Sequence, residues 1–231
     1  MGSHIRKETV RELLRRRDWA ALIQLSHVER GLLRTLVSFT FDPDELVRFR
    51  AVEAIGVASG ALAESNEEKV RDFIRRQLWL MNDESGGLSP LAPDIIGEVL
   101  VRVSGLVDEF GPLLISYLRE SPFERGTHAA IVRLSERRPD LFVSAVGDLR
   151  QSLHDSDPAV RGLAVRALSM IDPIGSAPLF DAMKDDPSEV EWYDFDRGDL
   201  IRTTLADFIG GARQGSNPTA SPVHPNTRQQ I

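Results

Sequence analysis

Cysteine is absent from the 231 residues. That single absence removes disulfides, zinc–thiolate and iron–sulfur sites and thiol nucleophiles from consideration. Lysine is scarce: only Lys7, Lys69 and Lys184 among 28 basic residues. The rest are arginine, whose planar fork suits carboxylates, although genome base composition explains the same bias. Aromatic residues make up 6% of the chain. No apolar run approaches the roughly 18 residues of a membrane-spanning helix, so no membrane partner is expected. The stretch from Met1 to Arg17 mixes Arg with Glu around no apolar core, so no secretion signal is expected and a cytoplasmic location is.

What is present points to a packed core and an uneven charge. Hydrophobic residues are 42% of the chain, and the formal charge is −7. Residues 1–81 carry 14 Lys/Arg against 12 Asp/Glu, a net of +2; residues 82–231 carry 14 against 23, a net of −9. An acidic surface repels phosphate, which disfavours nucleic acid as a partner.

The chain repeats itself. Val47-Arg48-Phe49-Arg50-Ala51-Val52-Glu53-Ala54-Ile55 and Val160-Arg161-Gly162-Leu163-Ala164-Val165-Arg166-Ala167-Leu168 share Val-Arg-x-x-Ala-Val-x-Ala-(Ile/Leu) at an offset of 113. Weaker copies lie at Asp94–Val99 and His128–Ser135. Taking Ile55, Ile96, Leu134 and Leu168 as equivalent gives spacings of 41, 38 and 34, the length of a helical hairpin. In the clearest copy, Val160, Leu163, Ala164, Ala167, Leu168 and Ile171 form one apolar stripe on a 3.6-residue helix. Asp42-Pro43, Ser121-Pro122, Asp157-Pro158, Asp172-Pro173 and Asp186-Pro187 read as cap-then-proline punctuation.

These signals predict helix pairs at 44–59 with 66–81, 93–106 with 109–120, 124–137 with 140–153, and 158–170 with 174–185. Helices at about 8–16 and 19–39 precede them. Alternation around a Gly-containing turn predicts a β-hairpin over 189–203, followed by a short helix at 204–210. The expected organisation is N-terminal capping helices over 1–40, repeats over 41–187, a hairpin-and-helix cap over 188–212, and a disordered polar tail over 213–231. The predicted fold is all-α: a right-handed solenoid of four to five helical hairpins with one small β-hairpin.

The Asp-Pro-x-Val-Arg-x-x-Ala-Val-x-Ala-Leu pattern at 157–168 resembles HEAT-like repeats of the phycobilisome-lyase type. The resemblance covers about residues 40–186 and implies a fold more than a function. Proteins with such repeats are mostly scaffolds or adaptors. Phycobilin lyases act on a tetrapyrrole, but no residue here singles out a chromophore site. Deoxyhypusine hydroxylases hold iron through His-Glu pairs; none of His4, His27, His128, His154 and His224 is followed by Glu. HEAT-like DNA glycosylases need a basic groove, which the acidic half of this chain opposes.

Candidate sites follow from where the pattern breaks. His154, Asp155 and Asp157 have ligand chemistry, but Asp157 reads as a helix cap and no metal is expected. His128 has no accompanying nucleophile or carboxylate in sequence, so it reads as structural. Arg48 and Arg161 occupy equivalent positions, which suits a brace between repeats better than an anion site. Arg15, Arg16 and Arg17, preceded by Arg6, Lys7 and Arg11, are diluted by Glu8 and Glu12 and read as a solvated helix face. The loop 82–92 is longer than the usual helix–helix link; its Asp83, Glu84, Gly86 and Gly87 form one partner-binding candidate. The hairpin residues Glu191, Trp192, Tyr193, Asp194 and Asp196 form the other, as an acidic aromatic patch for a protein partner with a basic surface. The competing reading makes the hairpin a cap over the last repeat, with Val190 and Trp192 inward and Glu191 and Tyr193 outward, or the reverse.

With no catalytic set and no cofactor expected, the reading is a non-enzymatic protein-interaction or scaffold module. Its default docking surface is the row of second helices. The alternatives are a lyase-like or chaperone-like helper acting on a protein-bound small molecule, and RNA binding through the N-terminal arginines.

Overall fold

The computed structural model describes residues 7–28, 31–82, 89–213 and 221–222. The chain divides into two compact units, Met1–Phe142 and Val143–Ile231.

Among the described residues, every regular element of the first unit is a helix. The unit runs through α1 (Lys7–Arg16), α2 (Trp19–Val28), α3 (Leu32–Phe39), α4 (Glu45–Met81), α5 (Ala92–Arg102), α6 (Val107–Phe110) and α7 (Glu124–Ser135). The helix predicted over 19–39 is two helices, with Gly31 at the N-cap of α3. α4 is a helical hairpin with a one-residue bend. Asn66 leaves helical geometry, at φ −159° and ψ 81°, and its side chain accepts from the Lys69 N–H at 3.1 Å. It thereby caps the second arm in the way Asn commonly does.

The start of the first arm revises the cap reading. Asp44, not Asp42, receives the Leu46 and Val47 amides. Asp42 sits two residues outside and accepts from the Asp44 N–H at 2.9 Å. The second clear copy repeats this arrangement: Asp157 caps Ala159, and Asp155 accepts from the Asp157 N–H at 2.8 Å. Proline therefore follows the outer Asp in one copy and the capping Asp in the other. That is why the Asp-Pro pair alone misplaces the cap at 42.

Two rows emerge in the first unit. The first arm of α4, α5 and α7 pack side by side and supply most of the core; every residue from Ala51 to Ser59 and from Ala92 to Leu100 is buried. α1, α2 and α3 pack on α4. The second row consists of the second arm of α4 and the stretch from Ser104 to Tyr117. The latter was predicted as α-helix over 109–120 but forms 3₁₀ turns, Ser104–Leu106 and Gly111–Tyr117, around the single turn of α6. Gly105, Gly111 and Pro112 weaken α-helix there.

The second unit holds α8 (Val146–Ser152), α9 (Pro158–Ile171), α10 (Pro173–Phe180), β1 (Glu189–Asp194), β2 (Asp199–Thr204), α11 (Leu205–Arg213) and β3 (Ser221–Pro222). α9 is the buried centre. α8 and α10 pack on it, and so do β1 and α11. β1 and β2 are antiparallel with Trp192 opposite Ile201 and Glu191 opposite Arg202; β3 adds a short third strand beside β2. The class is the expected one: helical repeats with one small antiparallel sheet. Of the predicted tail, residues 214–220 and 223–231 lie outside the described residues.

Candidate functional site

The first-row helices of the first unit bury charge as well as apolar surface. Glu53 (2% exposed), Asp94 and Glu98 (1% exposed) lie inside the packing. Each acid occupies a helix that touches its neighbours closely because of a glycine. A Cβ on Gly56 would stand 2.9 Å from the Glu98 carbonyl oxygen, and one on Gly97 would stand 2.6 Å from the Ala130 Cβ. Such distances are below van der Waals contact, so these helices meet backbone to backbone only because the side chain is missing.

The acids are met by arginines. Arg17 donates to Glu53 Oε1 at 2.6 Å and stacks its guanidinium over Trp19 at 5.6 Å. Arg133 donates to Glu98 Oε1 twice, at 3.1 and 2.8 Å. Burial raises the Glu98 pKa; Arg133 and Arg102 oppose the shift and Glu53 adds to it. Asp94 is pushed up to about 7, chiefly by burial, with the Arg125 charge and its own backbone N–H working against the rise. Its Oδ2 lies 2.3 Å from where a Gly126 Cβ would be and accepts no hydrogen bond among the described residues. His128 is fully buried and engages the Glu124 carbonyl through Nδ1 at 2.7 Å.

Among the described residues no group of three or more His, Asp or Glu is placed to hold a metal ion. Chemically, the row carries charge-assisted packing between adjacent helices, in which each arginine compensates a desolvated carboxylate. The sequence held a signal for it. Glu53-Ala54-Ile55-Gly56 and Asp94-Ile95-Ile96-Gly97 share acid-x-Ile-Gly at the repeat interval, and both the acid and the glycine are buried or in close contact.

Arg48 and Arg161, read from sequence as braces between repeats, each bond back to the chain just ahead of their own helix. Arg48 donates to the Asp42 carbonyl at 3.2 Å, and Arg161 to the Asp155 carbonyl at 2.9 Å, each six residues back. Arg161 also reaches Asp186 Oδ2 at 3.0 Å and Ser188 Oγ at 3.1 Å. The Ser188 hydroxyl and amide, with help from Arg161, hold the Asp186 pKa below the ordinary carboxylate value. Of the N-terminal basic stretch, Arg11 pairs with Asp42 at 2.8 Å, Arg16 with Glu12 at 2.6 Å and Arg17 with Glu53. Arg6 lies outside the described residues.

The hairpin residues share one small sheet but not one surface. Trp192 is buried and meets Phe208 edge-on at 4.8 Å. Phe208 in turn lies over Gly162, where a Cβ would come within 2.9 Å of its ring. Glu191 pairs with Arg202 directly opposite, at 2.8 Å. Tyr193 is buried as well, edge-on to Phe195 at 4.9 Å. The strand therefore does not alternate inward and outward here, because the turn folds Phe195 back over its second face. Asp194 organises that turn: its Oδ1 accepts from the Asp196 and Arg197 amides at 2.9 and 3.1 Å, and Gly198 closes it at φ 68°. Asp196 is exposed. Asp83, Glu84, Gly86 and Gly87 of the other candidate lie outside the described residues.

A third set, unmarked by sequence motifs, is the exposed apolar side chains. Among the described residues these are Ile23, Phe41, Trp79, Leu113, Val143, Ile174 and Leu179. In the first unit, Trp79 (62% exposed) is on the second arm of α4, and Leu113 (46% exposed) is on the neighbouring 3₁₀ turn. In the second unit, Ile174 (90% exposed) and Leu179 are on α10, and Val143 precedes α8. None of the seven is on the first arm of α4, α5, α7 or α9. α10 buries Phe180 and Ser176, whose hydroxyl donates to Asp172 at 3.0 Å, while Ile174 faces out.

Residues 111–192 match the family model for HEAT repeats. The chain is 30% identical over 176 residues to an uncharacterized protein of Archaeoglobus fulgidus, an alignment covering 75% of this chain and 91% of that protein. It is also 30% identical over 114 residues to the AP-4 complex subunit beta of Dictyostelium discoideum, covering 49% of this chain but 12% of that much longer protein.

Proposed function

Because the chain is a HEAT-repeat protein and belongs to one family with the Archaeoglobus fulgidus protein, we propose that it is a non-enzymatic protein-interaction module that docks its partner on the elements packed against its buried helices: the second row in the first unit, and α8 and α10 in the second. The observation that carries this reading is the placement of exposed apolar side chains. In the first unit Trp79 and Leu113 sit on the second row, and in the second unit Val143, Ile174 and Leu179 sit on α10 or just before α8, the helices packed on α9. Exposed large apolar residues grouped on one kind of element mark interaction surfaces better than the same residues scattered. The likeness to a subunit of a protein complex is in keeping with a binding role.

The test is site-specific photo-cross-linking in the native host. Benzoylphenylalanine at Leu113 or Ile174 is expected to capture a partner, while the same probe at Ile23 or Phe41 is not. Equal capture from all four positions, or from the control positions alone, would overturn the assignment of the docking row.

A further inference from the structure

We propose that the outward face of α10 receives a segment of a partner protein in which an apolar side chain is followed by lysine or arginine. The inference rests on the reading of α10 as a docking element and gives that element a partner chemistry.

The composition of α10 is unlike that of an ordinary surface helix. From Pro173 to Phe180 it carries no charged residue, and only Ser176 and Phe180 are buried. Ile174, Ala177, Pro178 and Leu179 are all exposed. Ile174, Ala177 and Pro178 stand at i, i+3 and i+4, so the helix itself makes them neighbours on one side. An ordinary surface helix turns polar side chains to solvent there.

This face is held in place before anything binds. The Asp172 carboxylate accepts from the Gly175 amide at 3.2 Å and from the Ser176 hydroxyl at 3.0 Å, and Arg150 donates to it at 2.6 Å. Phe180 fixes the other end by its burial. Little ordering cost therefore remains for binding.

Charge decides what accompanies the apolar side chain. The backbone stays helical past Phe180, through Asp181 and Lys184. Asp181 and Asp185 follow Pro178 at i+3 and i+7, and both are exposed. Residues 172–191 hold six Asp/Glu and one base, Lys184. Arg150 answers Asp172 and Arg161 answers Asp186, while Asp185 enters no ion pair among the described residues. Acids at the C-terminal end of a helix are also disfavoured by its dipole. A cation arriving there relieves that repulsion. It also enters the most acidic stretch of the chain, which is −7 between Asp172 and Asp207, with 10 acids against 3 bases. A carboxylate arriving there would be repelled.

The helix sets the spacing. Asp181 and Asp185 lie about 10 and 16 Å along the run from Ile174, at roughly 1.5 Å per residue. An extended segment covers those spans in about three and five residues.

The experiment titrates fluorescein-labelled synthetic peptides with the full chain by anisotropy. One carries a Leu with Lys at those two positions beyond it, one the same Leu with Glu at both, and one a Ser in the Lys frame. The Leu–Lys peptide is expected to bind saturably and to lose about tenfold or more in affinity with Ile174→Ser. Asp185→Lys is expected to weaken it and to shift preference toward the Glu peptide. Both variants change exposed side chains, so their melting temperatures are expected to match the parent's. Absence of saturable binding, equal binding of the Glu or Ser peptide, or indifference to Ile174→Ser would each overturn the proposal. If that happens while cross-linking still captures a partner at Ile174, the docking element stands and only the partner chemistry is lost; if cross-linking fails as well, both readings fall.

Discussion

Arg133 on α7 donates two hydrogen bonds to one oxygen of Glu98 on α5, and the other oxygen of that carboxylate accepts none among the described residues. The pair is a compensated buried charge rather than a fully satisfied one. Its two halves should therefore behave differently on mutation.

Arg133→Met leaves a desolvated carboxylate alone and is expected to cost about 3–5 kcal/mol. Glu98→Gln removes the charge that burial opposes and is expected to cost less, because Arg133 is partly exposed and can turn to Glu136. Urea denaturation of both variants and of the double variant measures the coupling. Equal losses from the two single changes would show that the pair is not limited by desolvation of the acid.

Asp94 makes stability depend on pH. Its pKa rises on folding from the ordinary carboxylate value to about 7, so the folded protein holds a proton that the unfolded chain releases. Stability from this group is full below about pH 4 and falls as pH climbs to about 7. The loss is on the order of 4 kcal/mol at most, from roughly 1.4 kcal/mol per pKa unit. Asp94→Asn should flatten that part of the profile and raise the melting temperature most at pH 8. A variant whose pH profile parallels the parent's between pH 4 and 8 would refute the assignment.

Gly97→Ala reverses the usual helix rule. In an open helix the change stabilises by about 0.5–1 kcal/mol. Here the new methyl would meet the Ala130 Cβ at 2.6 Å, so overpacking of about 1–3 kcal/mol is expected to win. Thermal melting decides the sign, and a higher melting temperature would mean α5 and α7 can separate at no cost.

Asp194→Ala removes the acceptor that fixes two turn amides and is expected to cost about 1–2 kcal/mol, the scale of a lost local cap. Arg202→Ala breaks an exposed cross-strand pair and should cost under about 1 kcal/mol. Hydrogen exchange of the β1 and β2 amides separates the two, with fast exchange expected only in Asp194→Ala.

The repeat itself was legible because α9 and the first arm of α4 expose their period in small and branched apolar residues. The β-hairpin was legible because alternation and Gly198 mark it. The second-row helices were harder to read. Gly105, Gly111, Pro112 and Pro178 let packing choose 3₁₀ turns or short helices that composition does not specify. Buried acids were illegible for a different reason. Nothing in the apolar period calls for burying Glu53 or Glu98, yet α1, α2 and α3 pack on α4, and α5 packs against both α4 and α7. Only the acid-x-Ile-Gly repetition hinted at that enclosure. Strand alternation allowed only one of Trp192 and Tyr193 to face inward, whichever it was, yet both are buried, with Phe195 packed edge-on against Tyr193. The exposed Trp79 had no motif at all, since nothing in the local sequence tells an outward-facing apolar side chain from a core one.

The central claim separates a packing row from a docking row, and one titration addresses it. With the partner recovered by cross-linking, its affinity is measured for the parent, Trp79→Ala, Ile174→Ala and the control Ile23→Ala. The account predicts about tenfold or greater weakening for at least one of Trp79→Ala and Ile174→Ala, with unchanged melting temperature, and parent-like affinity for the control. Parent-like affinity in both Trp79→Ala and Ile174→Ala, with loss in Ile23→Ala, would contradict it.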